Sequence, residues 1–199
     1  MPALAITGAI GSGKTSVLDS LQSLLGADRF CADEINRRLL DEDKEIKRQI
    51  TLIFGDSSYL SDGTSDRKKI FEIIRRDLSK RTLLEGILHP RLEQLWKPMA
   101  ASFKGTQNTF FLAEIPLLYE KHLQHFFDKV IVVASSDSLR KKRLLDYRRL
   151  SPDEAEAWST MQEQQMSKIS KADHVIWNDG SPGMLQQQIQ FFASQLFQS

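Results

Sequence analysis

Ala3-Leu4-Ala5-Ile6-Thr7-Gly8-Ala9-Ile10-Gly11-Ser12-Gly13-Lys14-Thr15-Ser16 joins a short apolar run to a glycine-rich turn, after which Val17, Leu18, Leu21, Leu24 and Leu25 recur at helical spacing. The order is strand, loop, helix. Within it, residues 8–15 fit G-x-x-x-x-G-K-[ST], in the context that this motif requires. Glycines let the backbone curl so that successive amides point inward, and the N-terminus of the following helix adds partial positive charge, so the loop forms a cradle for an anion. Gly8, Gly11, Ser12 and Gly13 are the expected cradle. Lys14, read as an exposed loop lysine, is expected to reach the β and γ phosphates of a nucleotide, the Thr15 hydroxyl to ligate Mg2+, and Ser16 to add a phosphate contact.

Working outward, Arg29 to Cys31 reads as a second short strand. From Asp33 a helical pattern follows, with Ile35, Leu39, Ile46, Ile50 and Ile53 as its apolar face. Phe54 to Arg67 is rich in Gly, Asp and Ser and reads as loop. Leu83, Leu84, Ile87 and Leu88 form an amphipathic stretch that His89-Pro90 is predicted to interrupt, since proline lacks an amide donor and disfavours a helical residue before it. The helix is predicted to resume and to run to Phe103. Thr109 to Ala113 and Val130 to Ala134 are nearly continuous in apolar residues, as parallel strands covered on both faces are. A basic helix from Leu139, a polar stretch from Ser151 to Lys171, a strand at His174 to Trp177 and a helix from Met184 complete the chain. This alternation argues for an α/β fold with a doubly wound parallel sheet.

The 199 residues suit one domain with inserted subregions. No apolar run approaches the roughly 20 residues of a membrane-spanning helix, and no basic leader precedes the first strand. The single cysteine, Cys31, has no internal disulfide partner, which agrees with a reducing compartment. The expectation is a soluble, cytoplasmic protein without a membrane partner, with a monomer as default. A net charge of +1 gives no global field for nucleic acid or anionic lipid, so phosphate binding must be local. Arg140, Lys141, Lys142, Arg143, Arg148 and Arg149 cluster, but no aromatic platform interleaves them, and they read as exposed charge with no nucleic-acid partner. His122 and His125 read as surface residues. No Asn-Lys-x-Asp tetrapeptide occurs, which argues against a guanine-nucleotide switch.

At this point the chain resembles the dephospho-CoA kinase family, nearly end to end. The glycine loop is similar to that family's G-G-I-G-S-G-K-[ST], with Ala9 at the second glycine, and Ala32-Asp33 with Arg37 to its A-D-x-[IL]-x-R. Phe54-Gly55, Asp62-Gly63 and Asp66-Arg67 follow in family order. Leu84-Glu85-Gly86-Ile87-Leu88-His89-Pro90 resembles L-E-x-I-x-H-P, and Pro116-Leu117-Leu118-Tyr119-Glu120 resembles P-L-L-[FY]-E. Gln162, Ala172-Asp173 and Asn178-Asp179-Gly180 fall at the spacing of the family's Q, A-D and N-x-G.

The resemblance implies a P-loop NTPase with a nucleoside-monophosphate-kinase-like, parallel five-stranded sheet flanked by helices. Its parts would be a nucleotide-binding core (about 1–32, 104–138 and 169–199), a helical acceptor-binding region (about 33–103) and a lid (about 139–168). It implies ATP and dephospho-CoA as small-molecule substrates, Mg2+ as cofactor, and transfer of phosphate to the ribose 3'-hydroxyl. In this reading Lys14, Asp33 and Arg143 carry catalysis, with Asp33 as the base and Arg143 as a lid arginine over the phosphates. An aspartate there also suits a helix N-cap, and the two readings are compatible. Arg37 and His89 are expected near the acceptor, although a histidine at a helix break also serves to satisfy backbone groups. Glu114 is expected to orient the metal, or to act as a structural partner. The lid departs from the family pattern, with Tyr147 and Trp158 where arginine is usual, and Arg148 or Arg149 as candidate substitutes. A kinase for another small nucleoside or nucleotide acceptor, and a nucleotide-binding protein without transfer activity, stay open as alternatives.

Overall fold

In the computed structural model, residues 2–103, 109–146, 151–153, 155, 156 and 164–197 are described. Five strands, β1 (Ala3–Thr7), β2 (Asp28–Cys31), β3 (Phe111–Glu114), β4 (Lys129–Ala134) and β5 (His174–Trp177), form one sheet in the order β2-β3-β1-β4-β5. Every pairing is parallel. Ile6 lies beside Glu114 on one side and Ile131 on the other, while Cys31 pairs with Glu114 and Ala134 with Trp177. β1 and β3 are buried along their whole length, and so is β4 after its first residue. This is why they read as apolar runs without alternation.

The helices of the described residues include α1 (Lys14–Leu25), α2 (Ala32–Glu42), α3 (Lys44–Phe54), α4 (Arg67–Arg76), α5 (Leu78–Phe103), α6 (Asp137–Asp146), α7 (Gln165–Ile169) and α8 (Pro182–Leu196). One compact unit comprises residues 1–31 and 98–199, and the other comprises residues 32–97. In the first, Val17, Leu18 and Leu21 of α1 and Ile189, Phe192 and Ala193 of α8 pack with Leu4, Ile6, Leu112, Ile131, Val133 and Ile176 of the strands. Burying each large aliphatic side chain is worth about 1.5–3 kcal/mol, so this layer fixes the sheet and presents the end of β1 at its centre. In an open sheet whose chain leaves the middle strand toward one side and returns on the other, ligands meet the carboxyl ends of the strands at that strand.

The second unit differs from its sequence reading in two places. The helical run from Asp33 is two helices, broken at Asp43, whose side chain caps α3 by accepting from the amides of Glu45 (2.9 Å) and Ile46 (3.0 Å). The buried face is accordingly Leu40, Ile46, Ile50 and Phe54 in place of Ile35, Leu39 and Ile53. The predicted interruption at His89-Pro90 is also corrected, since α5 runs unbroken through Pro90. An interior proline costs a helix about 3 kcal/mol. Leu88, Leu92, Trp96 and Ala100 recur every fourth residue and are all buried, and that burial outweighs the lost hydrogen bond. The loop between α3 and α4 is as expected, and tightly tied. Asp41 accepts from the Ser65 amide (2.8 Å) and hydroxyl (2.6 Å), and the Tyr59 hydroxyl donates to the Leu40 carbonyl (3.1 Å).

Candidate active site

Gly8 follows the last residue of β1, and the loop it opens turns tightly, with the Ser12 amide donating to the Ala9 carbonyl (3.2 Å). Gly8 (φ 148°) and Gly13 (φ 93°) adopt backbone conformations that residues with a Cβ rarely take. A methyl at Gly8 would overlap the Val133 carbonyl oxygen, and one at Gly13 would overlap Nδ2 of Asn178. Gly13→Ala is therefore expected to weaken ATP binding at least tenfold, read by calorimetric titration, because the amide leading into α1 has to shift. Unchanged ATP affinity would show that the loop absorbs the methyl.

Three side chains of the loop have revealing environments. The Ser12 hydroxyl is buried and has no hydrogen-bond partner. A buried polar atom left unpaired is costly, and an anion seated in the loop would satisfy it. Lys14 is not the exposed residue the sequence implied. It is 8% exposed, and its ammonium donates to the carbonyls of Gly8 (3.1 Å) and Ala9 (3.2 Å). The Thr15 hydroxyl donates to Oε2 of Glu114 (3.0 Å), the last residue of β3, and the Cys31 thiol approaches the same oxygen at 3.5 Å. Thr15 and the buried Glu114 thus offer two adjacent hard oxygens, which fits magnesium. Among the described residues no group of three or more His, Cys, Asp or Glu is placed to hold a metal. Magnesium commonly takes one or two protein ligands and completes its shell with phosphate and water.

Arg143, on α6, donates from Nη1 to the carbonyls of Gly11 (3.2 Å) and Ser12 (3.3 Å) and to the Ser135 hydroxyl (3.3 Å), and from Nη2 to the Asn178 carbonyl (2.9 Å). The Asn178 side chain donates to the Ser12 carbonyl (2.9 Å). One guanidinium and one amide thus tie the glycine loop to the ends of β4 and β5. Asp179 completes this knot, accepting from the Ser135 hydroxyl and the Ser136 amide, both at 2.7 Å. Burial works to raise its carboxyl, but the bonds from Ser136 and Ser135, helped by the charge of Arg143, prevail and hold it below the usual carboxylate range. A lowered folded-state value stabilises the protein above the unfolded-state value, and that contribution is lost as pH falls through the folded one. The difference in melting temperature between wild type and Asp179→Asn is therefore expected to be full at neutral pH and to shrink in acid, measured by scanning calorimetry across pH.

In the second unit, Asp33 is half-buried at the second residue of α2, so it lies inside the first turn and not at the cap, where an acidic side chain suits the helix dipole. Arg37 is exposed one turn later on the same face, and His89 is half-buried within α5. Asn36 Oδ1, three residues past Asp33, is buried without a hydrogen-bond partner. His122 and His125 are exposed, as expected. Tyr147, Arg148, Arg149, Trp158 and Gln162 lie outside the described residues. The sequence reading missed the loop contact of Asn178 and the roles of Gln165 and Lys168, which the polar stretch from Ser151 to Lys171 concealed.

Comparison with known proteins gives concordant relatives. The family model described as dephospho-CoA kinase matches residues 3–183. A Listeria monocytogenes dephospho-CoA kinase is 34% identical over 191 residues, covering 95% of this chain and 94% of its own. A Bacillus licheniformis dephospho-CoA kinase is 34% identical over 178 residues, covering 89% and 88%. Among solved structures, the dephospho-CoA kinase of Campylobacter jejuni is 27% identical with a TM-score of 0.63, over 97% of this chain and 96% of its own. A shikimate kinase from Acinetobacter baumannii shares the fold alone, at 13% identity and a TM-score of 0.51 over 100% of this chain and 94% of its own.

Proposed function

The chain belongs to the dephospho-CoA kinase family, and from that premise we propose that it transfers the γ-phosphoryl group of ATP to the ribose 3'-hydroxyl of dephospho-CoA, giving CoA and ADP. The family match across residues 3–183 carries this reading. The glycine loop supports the nucleotide half of it, with an unsatisfied Ser12 hydroxyl and an ammonium resting on carbonyls, from which a triphosphate would draw it. Lys14 then balances charge on the transferred group, and Gly8, Gly11, Ser12, Gly13, Thr15 and Ser16 hold the phosphates. Thr15 and Glu114 receive Mg2+, which when bound shields the phosphate charge.

Asp33 accepts the proton of the ribose hydroxyl, and Arg37 and His89 bind the acceptor. The acceptor-binding region is about residues 33–103, the nucleotide-binding core is about 1–32, 104–138 and 169–199, and the lid is about 139–168. The lid is anchored at its end, where Gln165 and Lys168 of α7 bond Ser135 and Pro116, and its residues 147–150, 154 and 157–163 lie outside the described residues. Arg143 stands beside the carbonyls of Gly11 and Ser12, from where it reaches the phosphates on lid closure. No helix among the described residues is long and apolar enough to cross a membrane; a cytoplasmic location and a monomeric state are further parts of the proposal. The test is ADP release with and without dephospho-CoA, with CoA identified by chromatography. Acceptor-dependent ADP matched by CoA is expected, and equal release without acceptor would overturn the proposal.

A further inference from the structure

Lys168, on α7, is a charged side chain with no solvent exposure at all. Its ammonium donates to the Pro116 carbonyl (2.9 Å) and to both Glu120 oxygens, Oε1 at 2.9 Å and Oε2 at 3.2 Å. Three acceptor atoms thus surround a group that has three hydrogens to give. The Pro116 carbonyl takes a second donor, the hydroxyl of Thr7 (3.2 Å), which is the last residue of β1 and precedes Gly8. Pro116 in turn lies two residues beyond Glu114, and the Ile115 amide between them donates to the Ile6 carbonyl (3.0 Å).

The same short helix grips the neighbouring strand. Gln165 accepts from the Ser135 amide (3.1 Å) and donates to the Ser135 carbonyl (2.9 Å), and the Ser135 hydroxyl is one of the groups that Arg143 holds. α7 therefore clasps the chain just past β3 and just past β4, on either side of β1. A buried ion pair is a poor way to gain stability, because well-packed apolar residues of similar volume do as well or better. What directed charge adds is a fixed position for the groups it bonds.

We infer that Lys168 is a positioning residue for phosphoryl transfer. Its hold on the Pro116 carbonyl and on Glu120 fixes the segment that starts at Glu114, and so keeps the Glu114 carboxylate on the Thr15 hydroxyl where the metal–nucleotide is received. The inference rests on the roles proposed above for Thr15 and Glu114.

The test compares wild type, Lys168→Met, Lys168→Arg and Thr7→Val, using ADP titrated calorimetrically with and without Mg2+. Outer partners of metal ligands typically carry about 10–100-fold in affinity or activity. Lys168→Met is expected to weaken binding of ADP with Mg2+ by about tenfold or more while metal-free ADP binds as before. In turnover, kcat should fall and KM for dephospho-CoA should hold, with Lys168→Arg recovering part of the loss. A natively melting Lys168→Met protein in which both ADP affinities fall together, or neither changes, overturns the inference. Should Lys168→Met not fold, Thr7→Val and Glu120→Gln decide, through the same metal-selective loss or its absence. The titration needs no acceptor, so failure of wild type to form CoA would sink the proposed reaction and leave this result readable.

Discussion

Lys14→Ala is expected to lower kcat/KM for CoA formation by about a thousandfold, the scale on which a preorganised charge at a developing anion acts. The melting temperature is expected to fall as well, by more than the sequence reading implied. Lys14 is nearly buried and bonds two loop carbonyls, so its removal leaves the Gly8 and Ala9 oxygens without that donor. Loss of such bonds costs about 1–3 kcal/mol, and each kcal/mol is worth about 2–4 °C in a chain of this size. Steady-state assay and thermal melting of one preparation separate the two effects. A large loss of thermal stability with turnover preserved would show that the lysine serves the loop alone.

The second large effect is expected at Asp33. Replacement by asparagine keeps the size and one acceptor oxygen but removes the basic carboxylate, and general-base contributions run at about 10²–10⁴-fold. CoA formation should drop by that range while Mg2+–ATP affinity is unchanged, since Asp33 belongs to α2 and not to the glycine loop. Single-turnover transfer with ATP binding measured in parallel gives the answer. Transfer at the wild-type rate would leave Asp33 as an acidic residue in the first turn of α2 and nothing more.

The middle of the sheet was largely legible in the sequence because β1, β3 and β4 are covered on both faces. Val130 to Ala134 announces itself as an apolar run and β4 lies there within one residue, while β5 coincides with the short strand read at His174 to Trp177 although only Ile176 in it is buried. The glycine loop was legible because its chemistry demands fixed residue types at fixed spacing. What escaped depends on partners distant in the chain. Pro90 inside α5 looks like a break until the buried stripe from Leu88 to Ala100 is known. Lys14 looks like an exposed side chain until the loop closes over it, and Lys168 like a surface lysine until Pro116 and Glu120, some 50 positions away, surround it. Arg143 was expected over the phosphates from the family resemblance alone, and its contacts to the loop carbonyls follow from where α6 starts, just beyond β4.

The central place of β1 has a consequence for how the protein is made. Its neighbours in the sheet begin at Phe111 and Lys129, and Thr7 finds its partner only in Val132. At the usual pace of translation, about 5–20 residues per second, the first strand emerges from the ribosome and waits on the order of ten seconds for either flank to exist. During that interval the nascent chain carries an apolar segment with both edges open, whereas α2 to α4 already have their local contacts. Chaperone dependence in the cell should therefore follow the delay before β3 and β4 are synthesised.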